Sequence, residues 1–232
     1  AGSGLLAHTD QHIVDLLTDV LRESNVTTQR AVFGIPPTAS FITTVGFPLL
    51  SADELRQAVP YEAKRFIPIA SAEVTLDWHV LETDESAKRT MVLIAAVPNE
   101  VVAKYRRVAE LMKVELEGVE IESFSLARSL LGPHRGVTAI IQLGAVVTTL
   151  VVVDRRQVRL NNNFGRGSQE ITAALAHSLG VVPERAETIK REVGLSVKPE
   201  DREVAGVISP IIDSILADVE RALASYNRTA AR

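Results

Sequence analysis

The sequence predicts an α/β protein, because segments with the apolar spacing of helices alternate with short apolar segments typical of strands. Hydrophobic residues make up 46% of the 232 residues, which is enough to bury the core of one large or two small domains. The formal net charge is −4, and Lys and Arg are scattered along the chain, which argues against a nucleic-acid-binding face.

The sequence lacks cysteine and lacks membrane or secretion segments, and both absences exclude classes of protein. Cysteine does not occur, which excludes disulfides and thiolate metal sites. No apolar segment reaches the roughly eighteen residues that span a bilayer, and the chain start lacks the pattern of a secretion signal. We therefore expect a cytoplasmic protein without direct membrane insertion.

The N-terminal elements are one helix and two strands. Apolar residues recur three and four positions apart from about Thr9 to Ser24, which predicts a helix. The apolar segments Arg30 to Ile35 and Phe41 to Phe47 predict strands, and the pair Pro36-Pro37 between them predicts a turn.

A capping-box pattern marks the next helix. Ser51 and Glu54 have the spacing at which each side chain bonds to the other residue's backbone amide. The helix is expected to run to about Phe66, and Pro60 is expected to kink it or restart it, because proline lacks the amide donor.

Two strands, a helix, a strand and a helix follow in that order. Their predicted ranges are Val74 to Val80, Thr90 to Val97, Asn99 to Lys113, Val119 to Glu122 and Phe124 to Leu131. Asn99 is expected to cap its helix, because its side chain can accept a bond from a first-turn amide. Trp78, the sole tryptophan, is expected to pack in the core, with partner recognition as the alternative.

The turn formers between Gly132 and Gly136 predict a boundary, beyond which three strands and three helices are expected. Two strands share the apolar run Thr138 to Val153 and join at Gly144-Ala145, and the third runs from Gln157 to Leu160. The helices are expected to start at a Ser168 cap, at Glu184 after Pro183, and at Ser209-Pro210.

The hairpin at Gly144 is the first candidate site. A glycine between two apolar strands lets backbone amides approach a ligand, and the hydroxyl of Thr148 could donate to a phosphate oxygen. Nucleotide hydrolysis also needs a carboxylate nearby for Mg²⁺ or for the attacking water, and Gln142 stands at that place. A buried hairpin with a tight turn explains the same residues, so both interpretations stay open.

Two weaker candidate sites are a pair of glycines before a helix and a pair of histidines near the start of the chain. Gly165-Arg-Gly167 before a helix is typical of an anion-binding helix start, although glycine is also common there for structural reasons. His8 and His12 have a spacing that suits a metal ion, but no third ligand or HExxH glutamate accompanies them, so a solvated pair is expected. No nucleophile-elbow motif occurs, and we predict neither catalytic nor metal-binding residues.

Six collinear stretches carry a resemblance to a known family. They are Leu49 to Ala58, Tyr61 to Pro68, Val74 to Val80, Val119 to Arg128, Ile140 to Thr149 and Ala186 to Lys190. Together they resemble the type IV pilus assembly protein PilM family, whose members are actin-like relatives of the division protein FtsA. The fifth stretch is similar to the family's phosphate hairpin, which usually begins with an acid where this chain has Gln142, and the sixth to its "AExLK" helix.

The resemblance implies a partial actin-like (ribonuclease H-like) fold with an inserted α+β subdomain similar to the SHS2 or 1C module. It divides the chain into a partial subdomain 1A (residues 1–42), the insertion (43–132), and a partial subdomain 2A with a C-terminal helix (133–232). The family's first phosphate hairpin and its last subdomain have no counterpart in these 232 residues.

The function implied is that of a cytoplasmic scaffold, peripheral to the inner membrane, in the assembly platform of a type IV pilus. It would bind the N-terminal tail of a PilN-like membrane protein, alongside other platform proteins, in a groove between the first subdomain and the insertion. The segments available to line that groove are Ile35 to Phe47 and Tyr61 to Val80, with no single residue assigned.

Nucleotide binding is implied only weakly. Its candidate residues are Gln142, Gly144, Ala145, Thr148, Gly165, Gly167 and Lys190. We expect no cofactor and no ATP hydrolysis in this chain, although a complete homologue could hold ATP and Mg²⁺. The alternatives are a weak ATP-binding actin-like protein and the actin-like cytoplasmic domain of a type II secretion platform protein similar to GspL.

Overall fold

A computed structural model describes residues 7–67 and 73–230, with side chains to residue 228. The chain forms two compact units: Ala1–Thr138 with Val153–Asn161, and Ala139–Val152 with Asn162–Arg232. The finer division into three subdomains, at residues 42 and 132, stays a prediction.

Helices and strands occur in the mixed order that the sequence predicts. The α-helices of the described ranges are Asp10–Glu23 (α1), Ala52–Ala63 (α2), Asn99–Met112 (α3), Glu122–Leu131 (α4), Ser168–Leu179 (α5), Pro183–Glu192 (α6) and Arg202–Ala230 (α7). The strands are Arg30–Ile35 (β1), Phe41–Pro48 (β2), Val74–Asp84 (β3), Arg89–Pro98 (β4), Glu115–Ile121 (β5), Thr138–Leu143 (β6), Thr148–Asp154 (β7) and Gln157–Phe164 (β8). Within those ranges, no helix combines the length and apolar content needed to span a bilayer.

The first unit contains two sheets. Strands β1 and β5 pair in parallel, and β2, β4 and β3 form an antiparallel sheet in that order. Helix α2 packs on one face of this second sheet through Leu55, Val59 and Ala63, against the alternate residues of β3 that include Trp78. Trp78 is thus half-buried and packs against the core, on the inward face where the sequence placed it.

The opposite face of β3 carries Asp77 and His79 and is changed by a bulge. The register with β4 shifts between Val80 and Glu82, so Leu81 is an extra residue on β3. Leu81 is buried and lies on the face of Asp77 and His79, opposite Val80. The bulge alters the alternation of side chains between the two faces from this point on.

In the sheet of β6, β7 and β8, strand β7 is central and its residues Thr148 to Val153 are buried. This confirms the two predicted strands on either side of Gly144. Helices α5, α6 and α7 of the second unit share an apolar cluster that includes Ile171, Leu175, Ala186 and Ile208.

The capping predictions have mixed outcomes. The capping box of α2 is confirmed, since the Ser51 amide donates to the Glu54 carboxylate at 2.7 Å and the Glu54 amide to the Ser51 hydroxyl at 3.3 Å. The expected caps at Asn99 and Ser168 are wrong by one position: each is the first residue of its helix, after Pro98 and Gly167. Asn99 instead accepts a bond from the Thr75 hydroxyl at 2.9 Å.

Two prolines lie inside helices, Pro60 where the sequence placed it and Pro210 where a helix start was expected. Pro60 is within α2, which ends at Ala63 and not at Phe66, and Pro210 is within α7, which begins at Arg202 and not at Ser209. A proline removes one helical hydrogen bond, but burial of apolar residues on both sides, such as Ile208 and Ile215 in α7, offsets that loss.

Candidate functional site

The loop Gly144–Val147 between β6 and β7 turns tightly. The Gly144 amide donates to the Val147 carbonyl at 3.0 Å, and a Cβ on Gly144 would lie 2.6 Å from that oxygen. Since real Cβ atoms essentially never approach an oxygen so closely, glycine is required at this position for a structural reason.

This loop closes onto the start of α5 within the second unit. The amides of Ser168 and Gln169 donate to the carbonyls of Gly144 and Ala145 at 2.9 and 2.8 Å. A Cβ on Gly167 would lie 2.6 Å from both carbonyl oxygens. The fold thus brings together Gly144, Ala145 and Gly167, but two amides that would serve an anion at the helix start bind the loop carbonyls instead.

Thr148 is fully buried, and its hydroxyl donates to the Arg166 carbonyl at 2.8 Å. Gln142 lies on β6 and is half-buried, whereas Gly165 is exposed in the segment before α5. The hydroxyl proton that was expected to face a phosphate oxygen therefore already has a protein acceptor. A nucleotide-binding role for these residues stays a prediction.

Lys190 connects α6 to the first turn of α5. Its Nζ donates to the Ser168 carbonyl at 3.2 Å and to Thr172 Oγ1 at 2.9 Å, and it pairs with Glu187 Oε2 at 2.6 Å. Its side chain is only 14% exposed. Hydrogen bonds from Lys190, Thr172 and Arg191 lower the pKa of Glu187 from 4.5 to about 2.

We expect the stability of Glu187→Gln to depend less on pH below 4.5 than the stability of the wild type does. The pKa of Glu187 is depressed in the folded state, so its charge stabilises the fold above pH 4.5, and this contribution is lost as the pH falls toward 2. Urea midpoints between pH 7 and 2.5 should thus fall less steeply for the variant than for the wild type. Glu192→Gln, on the same helix, is the control and should keep the wild-type slope; equal slopes for all three proteins would contradict the prediction.

A second candidate site is a cavity of about 450 Å³ that lies within the first unit. Its walls come from the outer face of β3 and β4, from one side of α4, and from the turn between β7 and β8. Apolar side chains predominate among those that line it, with Leu81, Leu93, Phe124, Leu131 and Val158 as the larger ones. We call this cavity, defined by these walls, the groove.

The charged residues of the groove differ in how well they are paired. Arg128 forms a two-pronged contact with the Glu120 carboxylate, with one bond of 2.7 Å, and the Ser125 hydroxyl donates to the same carboxylate at 2.6 Å. These bonds hold the pKa of Glu120 below its ordinary value. Asp77 accepts a bond from the Trp78 amide at 2.8 Å. The side chain of Arg156, in contrast, makes no hydrogen bond or ion pair with any residue that the structure describes.

The sequence expectations for a partner groove match it only in part. From Tyr61 to Val80, the strand residues Asp77, Trp78 and His79 line the groove, and residues 68–72 of that segment lie outside the described residues. Residues Ile35 to Phe47 are all described, and none of them lines it. The sequence did not predict that α4 and the β7–β8 turn belong to the groove wall. One signal for the turn was present: two arginines, Arg155-Arg156, stand between two apolar strands, where so short a turn usually contains Asn or Gly.

Metal ligands do not cluster among residues 7–67 and 73–230, where no group of three His, Asp or Glu side chains could hold an ion. The rings of His8 and His12 lie 4.8 Å apart at the start of α1.

A family model and a solved structure each match nearly the whole chain. The family model described as type IV pilus assembly protein PilM matches residues 6–232. A solved PilM–PilN type IV pilus biogenesis complex is similar with a TM-score of 0.77 and 21% identity, over 92% of this chain and 63% of that one. The chain thus spans less than two thirds of that relative's length.

Two further structures are more distant. MreB5 of Spiroplasma citri bound to ADP has a TM-score of 0.54 and 12% identity, over 93% of this chain and 57% of that one. The cytoplasmic domain of EpsL, from the type II secretion system of Vibrio cholerae, has a TM-score of 0.46 and 15% identity over 70% and 60%, which is too weak to support an argument. The stronger matches confirm the predicted actin-like fold.

Proposed function

The chain belongs to the type IV pilus assembly protein PilM family, and on this premise we propose that it is a scaffold of the pilus assembly platform. It acts in the cytoplasm, peripheral to the inner membrane, by binding the N-terminal tail of a PilN-like membrane protein. The observation that carries this proposal is the groove of the first unit, together with the PilM–PilN pairing in the structural relative.

The groove has the size and chemistry that suit a short extended peptide. A volume of about 450 Å³ lies within the range in which proteins bind small molecules. Its apolar walls favour burial of aliphatic side chains, and each buried methylene contributes about 0.8 kcal/mol. Polar residues that line the groove, Asp77, Gln157 and Arg156 among them, would fix the orientation and register of the bound chain.

We propose further that this chain does not hydrolyse ATP. Three features support this: Gln142 stands where hydrolysis needs an acid, the Thr148 hydroxyl donates to a backbone carbonyl, and the first amides of α5 bind the loop Gly144–Val147. A scaffold needs only a stable surface for its partner, and these contacts stabilise the second unit without a ligand.

Leu131→Lys should weaken binding of the tail at least about tenfold, because an unpaired ammonium would replace an apolar wall of the groove. The probe is a synthetic peptide with the N-terminal cytoplasmic sequence of the PilN-like protein from the same organism. Binding is measured by calorimetry and by the fluorescence of Trp78, the sole tryptophan, which lies on a strand of the groove.

Leu130→Lys is the matched control for this prediction. Leu130 neighbours Leu131 on α4 but is 63% exposed and does not line the groove, so the same substitution there should leave the affinity unchanged. No measurable binding of the tail to the wild-type protein would end the proposal. Equal losses in both variants would place the binding surface elsewhere on the molecule.

A further inference from the structure

We propose that Arg156 is the residue that anchors the bound tail, by donating hydrogen bonds to an acceptor oxygen of the tail from the strained turn between β7 and β8. This inference rests on the proposed function and adds to it a single anchoring residue and the chemistry that this residue recognises. Three observations carry it: the backbone of the turn, the place of the two arginines, and the pairing of charges in the groove.

The backbone of the turn is strained at two successive residues. Strand β7 ends at Asp154 and β8 begins at Gln157, so the turn consists of Arg155 and Arg156. Their φ angles are 50° and 67°, in the left-handed region that only glycine, asparagine and aspartate enter readily. A two-residue turn of this kind usually contains Asn-Gly, and strained residues of other types concentrate at functional sites.

Only one of the two arginines lines the groove. Arg156 is part of its wall, whereas Arg155 is not, and the Arg155 amide donates to the Arg135 carbonyl at 3.2 Å. The left-handed backbone at Arg155 therefore occurs together with a hydrogen bond of its amide to another segment of the protein. Strain at Arg156 accompanies no side-chain bond to any described residue, which leaves the guanidinium available to a ligand.

Among the arginines of the groove, Arg156 is the one whose side chain is not already bound to a carboxylate of any described residue. The other arginine in the wall, Arg128, is engaged by Glu120 through both prongs of its guanidinium. A guanidinium offers five N–H donors and no acceptor, so its ligand must supply acceptor oxygens. In a peptide these are main-chain carbonyls or side-chain carboxylates, and the tail can supply either.

The test measures stability and affinity in the same variants. Arg155→Asn and Arg156→Gly should each raise the melting temperature by about 2–4 °C, because each relieves left-handed strain. Arg156→Gly should also weaken binding of the synthetic tail peptide about 10- to 100-fold, because a charged hydrogen bond is lost, whereas Arg155→Asn should bind as the wild type does. Arg156→Gln keeps a polar side chain and the backbone strain but removes the guanidinium, and should lose affinity to a similar extent.

Each outcome bears on the proposal. Equal affinity of the wild type and Arg156→Gly would overturn it and leave the proposed function intact, whereas a wild type that binds no tail would overturn both. If Arg155→Asn lost as much affinity for the peptide as Arg156→Gly, the effect would come from the turn backbone, and the proposal for Arg156 would also be overturned. Replacement of every Asp and Glu of the peptide by its amide identifies the acceptor: a loss that disappears indicates a carboxylate, and one that persists indicates a carbonyl.

Discussion

Gly167→Ala is expected to lower the free energy of unfolding by about 2–4 kcal/mol, because the new methyl group would overlap two backbone carbonyls. Its Cβ would lie 2.6 Å from the oxygens of Gly144 and Ala145, and neither of these backbone atoms can rotate away as a side chain would. The methyl group would therefore push the loop from the start of α5 and break the bonds from the Ser168 and Gln169 amides.

The matched control for this substitution is Gly165→Ala, two residues earlier. A Cβ at Gly165 would meet no atom within 4 Å, and its φ is not in the left-handed region, so its effect should stay within about 0.5 kcal/mol. Urea unfolding followed by circular dichroism measures both variants. A Gly167→Ala protein as stable as Gly165→Ala would show that the loop does not close on the helix in solution.

Lys190→Met is expected to lower the free energy of unfolding by about 1–3 kcal/mol, because it removes the charged hydrogen bonds of an ammonium whose side chain is only 14% exposed. The ammonium holds the Ser168 carbonyl and the Thr172 hydroxyl, and methionine can fill the space of the aliphatic stem but cannot donate. The largest share of the loss should come from the junction of α5 and α6, where these groups lie.

Lys198→Met serves as the control, because Lys198 is exposed and its side chain contacts no described residue through a polar bond. Thermal unfolding with and without millimolar Mg-ATP extends the experiment to the nucleotide hypothesis. We expect no rise in melting temperature with Mg-ATP in the wild type. A rise in the wild type that is absent in Lys190→Met would instead assign Lys190 to a nucleotide site.

Local pattern was enough to predict the order of the elements. The period of apolar residues placed α1 and α3, the alternation in Val74 to Val80 placed β3, and the Ser51 and Glu54 pair marked the start of α2. These signals depend on residues a few positions apart, whose geometry the backbone itself determines. The family resemblance added the actin-like fold, which composition and period alone did not provide.

The local sequence pattern gave wrong element boundaries where burial against other segments determined the structure. Pro210 stands inside α7 because apolar residues on either side of it, Ile208 and Ile215, are buried. The extra residue Leu81 in β3 could not be read from alternation, since a bulge follows from pairing with β4. Each of these outcomes depends on a partner segment elsewhere in the chain: Ile208 packs against Leu175 of α5, and the bulge forms against β4.

The candidate sites divide in the same way. The sequence by itself named Gly144, Gly167 and Gln142 as candidate site residues, because glycines and an amide in place of an acid are visible in a short stretch of sequence. Only the tertiary structure decided that the loop carbonyls occupy the first amides of α5, and that β3, β4, α4 and the Arg155-Arg156 turn enclose a groove. The physical reason is that both sites are contacts between segments distant along the chain, and periodicity carries no information about which distant segments meet.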